Sequence, residues 1–386
     1  MPDSEKQETS QRILLCLVAD EEIMDAMPTA LRYLQVGLID EHVAVALVMP
    51  EELRRSPSLT AGPTTLLTVP SGPWPIRRLV RRRAAAGLAR RIEAMRGNGP
   101  VLVHALSESA AALAVELAAM CDVRMMITIR SRGNWLRSQE GQRALGRAEC
   151  VLAPSPMLAD HAAEGVIRGD RIRVVPWGVG VGTAPASFSR DDRDPTFMAA
   201  GRLEEDGEWD TLLRAFRRVL EHHSRSLLFI AGRGAAESNL RRLVASLGMT
   251  QSVTLTGRLV EVRSALDAAD VFVVPGGRSA YREETLHAIG AGLAVIISDD
   301  APYDGLDDGR QALHFAEGDE ESMADCMLRV LEDPAAARRI AAAAQSYARA
   351  HHSAAKMVAA HAGVYRDLCA KDLTLTLNSG GSPARA

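Results

Sequence analysis

The chain has 386 residues, of which 47% are hydrophobic, 4% aromatic and 24% charged, with a formal net charge of −4. That length exceeds one ordinary core and makes two domains the expectation; the composition is that of a globular protein with large buried cores, and the small acidic charge provides no field for nucleic acid. The five cysteines, Cys16, Cys121, Cys150, Cys326 and Cys369, show no C-x-x-C spacing, so buried free thiols are expected and a disulfide framework or zinc site is not.

Residues 1–12 are a polar, acidic extension, and the apolar run that follows, from Ile13 to Ala19, is too short to cross a bilayer. A cytoplasmic protein is expected, at most peripheral to the inner face of a membrane. From there short apolar runs alternate with amphipathic stretches: strands over 13–18, 43–48, 101–106, 125–129, 151–153 and 172–175, with helices over 24–36, 109–120 and 157–164. Between them, Arg77, Arg78, Arg81, Arg82, Arg83, Arg90 and Arg91 are interleaved with Ile76, Leu79, Val80 and Leu88. This reads as an amphipathic cationic helix over 76–95. It is either a solvated face or a surface for an anionic membrane or a phosphate-bearing acceptor.

Glycines, Pro185 and the run Arg190-Asp191-Asp192-Arg193-Asp194 mark a seam. The first Rossmann-like domain is placed at 13–180, an interdomain linker at 181–195 and the second domain at 196–370, with a disordered tail over 371–386. In the second half, strands over 197–200, 227–231, 253–256, 271–274 and 294–297 alternate with helices over 211–220 and 240–247. Such alternation means parallel strands with crossover helices. The closing helices, 334–368, are expected on the second domain, the last being a candidate to cross back to the first.

Four of these strands end in Gly201, Gly232, Gly257 and Pro275. In a parallel α/β sheet ligands sit at the carboxyl ends of the strands, where helix N-termini converge. Arg202, between strand-end Gly201 and a helix, is therefore a candidate diphosphate cation, or else a surface arginine paired with Glu204 or Glu205. Gly232 and Gly234 suit a turn that lets a nucleotide approach the backbone. His104, at a strand end, is a candidate acceptor contact or a satisfied structural histidine.

The segments Ala200-Gly201-Arg202-Leu203, Ile230-Ala231-Gly232-Arg233-Gly234, Asp270-Val271-Phe272-Val273-Val274-Pro275 and Ala288-Ile289-Gly290-Ala291-Gly292-Leu293-Ala294-Val295-Ile296 resemble retaining glycosyltransferases of family four, of GT-B fold. Val101-Leu102-Val103-His104-Ala105, Leu145-Gly146-Arg147-Ala148-Glu149 and Arg171-Ile172-Arg173-Val174-Val175-Pro176-Trp177-Gly178-Val179 are similar to that family's acceptor domain and linker.

The resemblance implies two Rossmann-like domains facing across a cleft. Its activity is transfer of a hexosyl-type group, with retention, from a nucleotide-diphosphate sugar to a glycan, lipid or small-molecule acceptor, as in polysaccharide biosynthesis. The nucleotide sugar is then a substrate, no metal is required, and the departing diphosphate's charge is met by cations and N–H dipoles.

The chain departs from the family's pattern at several positions. A lysine expected in the turn after Arg202 is replaced by Asp206, a carboxylate that repels a diphosphate. The family's paired glutamates fall on Ser279 and His287, candidate contacts to the donor sugar and ribose. Glu283 and Glu284 read as the acidic first turn of a helix. Arg130 stands where the family often has a histidine, and is either a cation for the cleft or one half of a structural ion pair. The turn Ala19-Asp20-Glu21-Glu22 lacks the family's paired glycines. These losses leave a second reading, a catalytically silent scaffold or regulator of the same fold.

Overall fold

The structure, a computed structural model, describes residues 12–55, 64–69, 77–97, 99–164, 167–182, 194–205, 207–257, 265–276 and 281–379. Two of the positions singled out in the sequence, Asp206 and Ser279, and most of the expected linker lie outside these residues.

The first sheet is built from β1 (Ile13–Val18), β2 (Val43–Pro50), β3 (Thr65–Val69), β4 (Val101–Ala105), β5 (Arg124–Thr128), β6 (Cys150–Ala153) and β7 (Ile172–Val174). Every pairing is parallel, in the order β3-β2-β1-β4-β5-β6-β7. Its crossovers include α1 (Glu21–Ala26), α2 (Pro28–Asp40), α3 (Arg77–Arg96), α4 (Ala111–Met120), α5 (Gln139–Arg147) and α6 (Pro156–Glu164). One helix was expected over 24–36; Pro28, unable to donate to the preceding turn, ends α1 and opens α2 instead.

The second sheet contains β8 (Thr196–Ala200), β9 (Leu227–Ala231), β10 (Val253–Gly257), β11 (Val271–Val274), β12 (Ala294–Ser298) and β13 (Leu313–Phe315), also parallel, in the order β10-β9-β8-β11-β12-β13. Its helices are α7 (Trp209–His222), α8 (Glu237–Ser246), α9 (Glu283–Ala291), α10 (Glu320–Glu332) and α11 (Pro334–His351).

Strands buried on both faces read as continuous apolar runs, and their alternate residues feed different cores. Leu14, Cys16 and Val18 of β1 pack with Leu88 and Ile92 of α3 and Leu117 of α4. Leu15 and Leu17 enter a second core with Leu31 and Leu34 of α2, and this core runs on to Phe272 and Val274 of β11. Val271 and Val273 face the opposite way, toward Leu212 and Phe216 of α7 and Met327 of α10. The middle core therefore joins the two sheets. All five cysteines are buried.

The last helix, α12 (Ala354–Ser379), takes the crossing course for which it was a candidate. α12 crosses to the first: Arg124 Nη1 donates to the Leu368 carbonyl at 2.8 Å and Arg366 pairs with Glu41 at 2.9 Å. It also continues through Ser379, into the stretch assigned by composition to a tail. The crossing is fixed where Val179 N–H donates to the His352 carbonyl and Ala354 N–H to that of Val179.

Candidate active site

In each sheet the strand order reverses once, between β1 and β4 and between β8 and β11. A crevice opens at the carboxyl end of such a switch point because the crossovers leave on opposite faces. The turns after β1 and β8 and the segments after β5 and β11 supply the residues of interest.

On the second domain the rim is laced by backbone bonds. Gly201 N–H donates to the Ala231 carbonyl at 2.9 Å, Leu203 N–H to Arg233 at 3.0 Å and Gly232 N–H to Gly257 at 2.9 Å. A Cβ on Gly232 would lie 1.8 Å from the Gly201 oxygen, and one on Gly234 2.2 Å from the Leu203 oxygen. These glycines thus let two turns stack on each other. Trp209 lies beneath Gly201 and donates Nε1–H to the Arg202 carbonyl at 3.0 Å. The Arg202 guanidinium, 44% exposed, holds Glu204 Oε1 through Nε at 3.0 Å and Nη2 at 2.9 Å. It is on the rim, with a surface partner.

α9 carries the other half of the site. Its N-cap, Arg282, is extended and offers no side-chain cap. Arg282 Nε and Nη2 donate to Glu284 Oε2 and Oε1 at 3.2 and 2.9 Å. The same Nε lies 3.8 Å from where a Cβ on Gly201 would be.

Glu283 points elsewhere, to the other domain, and accepts from Thr29 and Ala30 N–H at 3.0 and 2.8 Å. Met27 gives α2 no side-chain cap, so a carboxylate from the second domain satisfies that helix N-terminus and its dipole. His287, one turn on, has Nε2 3.7 Å from Glu283 Oε1 and is nearly buried. Its ring nitrogen thus lies beside this interdomain cap.

Arg130, directly after β5, is fully buried. Its Nη2 donates to the Tyr281 carbonyl at 2.9 Å and its own carbonyl accepts Tyr281 N–H at 3.0 Å. Nη1 stands 3.6 Å from Glu22, and among the described residues Nε and Nη1 have no hydrogen-bond partner. The residue stitches the domains together, which is the structural reading of the sequence rather than an open cation. Behind it Glu108 accepts the Arg130 and Ser131 N–H groups at 2.9 Å. Burial pushes the Glu108 carboxyl above the ordinary carboxylate range, against the pull of those bonds and of the Arg130 charge.

His104 is likewise corrected. It is fully buried in β4, sharing hydrogen bonds with the Tyr365 hydroxyl at 2.9 Å and the Thr128 hydroxyl at 2.8 Å. Burial, with His361 nearby, holds its imidazole neutral, well below the usual histidine range. It anchors α12 and has no face toward an acceptor.

Sequence reasoning passed over Tyr281 and above all Arg282, whose one signal was the triplet Arg282-Glu283-Glu284 at the start of an apolar helix. Among the described residues, no group of three or more His, Cys, Asp or Glu side chains is placed to hold a metal ion.

Two facing switch-point crevices, joined by interdomain bonds and a crossing helix, define a two-domain transferase architecture of GT-B type. A family model for "Glycosyltransferase Family 4" matches residues 28–181, and one for "Glycosyl transferases group 1" matches 194–333. Together with the fold, these place the chain among the family-four-like glycosyltransferases.

The lipopolysaccharide core biosynthesis glycosyltransferase LpsE of Rhizobium meliloti is 26% identical over 199 residues, 50% of this chain and 57% of LpsE. The glycogen synthase of Mycobacterium tuberculosis is 26% identical over 263 residues, 64% of each chain. The match thus spans less than two thirds of either relative. Among solved structures, Anabaena HepE in complex with UDP and glucose superimposes with a TM-score of 0.75 at 13% identity, covering 92% of this chain and 99% of that one. Sucrose-phosphate synthase from Thermosynechococcus elongatus gives 0.72 at 19%, covering 93% and 100%. At these identities the structures establish the shared fold.

Proposed function

We propose that this chain transfers a sugar, with retention, from a nucleotide-diphosphate donor to a glycan, lipid or small-molecule acceptor in building a polysaccharide or glycolipid. The donor binds on the rim of the second domain, the acceptor on the first, and the departing diphosphate is met by arginines and N–H dipoles without a metal. The observation that carries this reading is the placement of Gly201, Arg202 and the uncapped start of α9 at one switch point, opposite the crevice of the first sheet. The lipopolysaccharide role in the name of LpsE and the UDP-glucose bound to HepE support it.

The test is a panel of nucleotide sugars in thermal-shift and nucleotide-release assays. A ligand at roughly a hundred times its dissociation constant stabilises the native state by about 2.7 kcal/mol. Arg202→Ala is expected to weaken the best diphosphate by about 1.5–3 kcal/mol, the scale of a charge-assisted contact. Equal calorimetric affinity would take Arg202 out of the site. No shift and no turnover with any donor would leave the scaffold reading.

The acceptor side is read from α3. Arg81 is tied to Glu116 at 3.0 Å, but Arg82, Arg83, Arg90 and Arg91 are exposed while Ala85, Leu88 and Ile92 are buried. Among the described residues no helix is long and apolar enough to cross a membrane. A peripheral contact with anionic lipid is proposed, at about 1 kcal/mol per arginine near the surface. The protein should sediment with phosphatidylglycerol vesicles at low salt, be released by added salt and ignore phosphatidylcholine. Changing the four exposed arginines to glutamine should abolish sedimentation; retention by this variant would refute the contact.

A further inference from the structure

We propose that Arg282 is the second cation of the donor site, holding the diphosphate beside Arg202 in place of the lysine that the turn after β8 lacks, and that Glu284 positions it. This rests on the nucleotide-sugar reading above.

A diphosphate that becomes a leaving group gains charge that must be met in a partly dry site. Arg202 alone is a poor answer, because it is exposed and shared with Glu204. Arg282 comes from a different segment, yet its Nε reaches to within 3.8 Å of where a side chain on Gly201 would begin. The guanidinium therefore lies against the strand end, within ordinary van der Waals reach of it.

Its backbone is fixed on both sides by one hydroxyl: Arg282 N–H donates to the Tyr303 oxygen at 2.9 Å, and the Tyr303 hydroxyl donates to the Arg282 carbonyl at 2.9 Å. Its side chain is fixed by the two-pronged contact with Glu284, and the two side chains are only 14% and 10% exposed. An arginine held in this way loses little side-chain entropy when a ligand arrives.

The local field favours an anion at this spot. α9 has no side-chain cap, so its first N–H groups and the positive end of its dipole face the same rim. Of the two acids in its first turn, Glu283 is spent on Thr29 and Ala30 of the other domain. Glu284 remains, and its charge is balanced by Arg282. A planar guanidinium has five N–H donors and suits two oxyanions at once, which a lysine ammonium does less well. The lysine-to-aspartate change is thus compensated from α9.

Calorimetry with uridine and guanosine diphosphates, each compared with its monophosphate, tests this. Arg282→Ala should lower diphosphate affinity by roughly 10- to 100-fold and monophosphate affinity by less than about 3-fold, since the missing contact is to the terminal phosphate. Arg282→Lys should fall between, and guards against a folding defect in the alanine variant. Glu284→Gln should change diphosphate affinity in the wild-type background but not in Arg282→Ala, if it acts only through the arginine. Diphosphate binding by the wild type that survives Arg282→Ala unchanged overturns the assignment while leaving the transferase reading intact. Failure of the wild type to bind either diphosphate overturns both.

Discussion

Gly232→Ala is expected to destabilise the second domain by about 3 kcal/mol or more and to abolish donor binding with it, because the new methyl has nowhere to go. Its Cβ would sit 1.8 Å from the backbone oxygen of Gly201, and a backbone atom cannot swing aside as a side-chain tip can. Relief requires the turn after β9 to lift off the turn after β8. That breaks the bonds from Gly201 N–H to Ala231 and from Leu203 N–H to Arg233. The same movement displaces Arg202, so stability and nucleotide affinity fall together.

Gly146, inside α5 with open space at its Cβ position, is the control: Gly146→Ala should raise stability by about 0.5–1 kcal/mol, the ordinary gain of alanine over glycine in a helix. Urea titrations of both variants check the pair. A Gly232→Ala protein as stable as wild type would mean that the two turns do not stack as described.

The central strands of both sheets were legible because they are buried on both faces, which leaves runs such as Ile13-Leu14-Leu15-Cys16-Leu17-Val18 with no polar interruption. β3 escaped notice at the sheet edge, where Thr65 and Thr68 replace apolar residues, and β13 is three residues long. The course of α12 was legible only as a possibility, since an apolar stripe does not say which domain it meets. The site was least legible where partners lie far apart in the chain. Glu283 reads as an ordinary acid in the first turn of a helix, yet its partners are 254 and 253 residues away. Alignment on the expected lysine and glutamates drew attention to Asp206, Ser279 and His287. Arg282, between those anchors, belongs to no pattern, and only its distance from Gly201 gives it a role.

Lowering the pH from 7 to 5 is expected to cost the protein about 2 kcal/mol through His361 alone, and to loosen α12 first. Three histidines tie this helix and the crossing to the first domain: His104 in β4, His352 at the crossing and His361 within α12. His352 Nδ1–H donates to the Trp177 carbonyl at 2.9 Å, and His361 Nδ1–H to the Met357 carbonyl at 2.9 Å. Trp177, Tyr365 and His104 surround His361, with ring centres 5.4, 6.0 and 6.3 Å away.

Burial lowers the pKa of all three histidines, that of His361 from 6.5 to about 4. An imidazole released by unfolding takes up a proton near pH 6.5, whereas the folded His361 stays neutral until about pH 4. The unfolded state therefore binds more protons across this window, so stability is complete above pH 6.5 and falls as the pH drops toward 4. Carboxylates titrate in the lower part of the same range, so the decisive comparison is with His361→Leu, which keeps an apolar filler against Trp177. Urea midpoints from pH 7 to 5 should slope less steeply in that variant by the His361 share, and α12 amides of the wild type should exchange faster at pH 5 once intrinsic rates are corrected. A His361→Leu protein with the wild-type slope would show that this histidine does not govern the acid response, and unchanged exchange in α12 would show that the loss begins elsewhere.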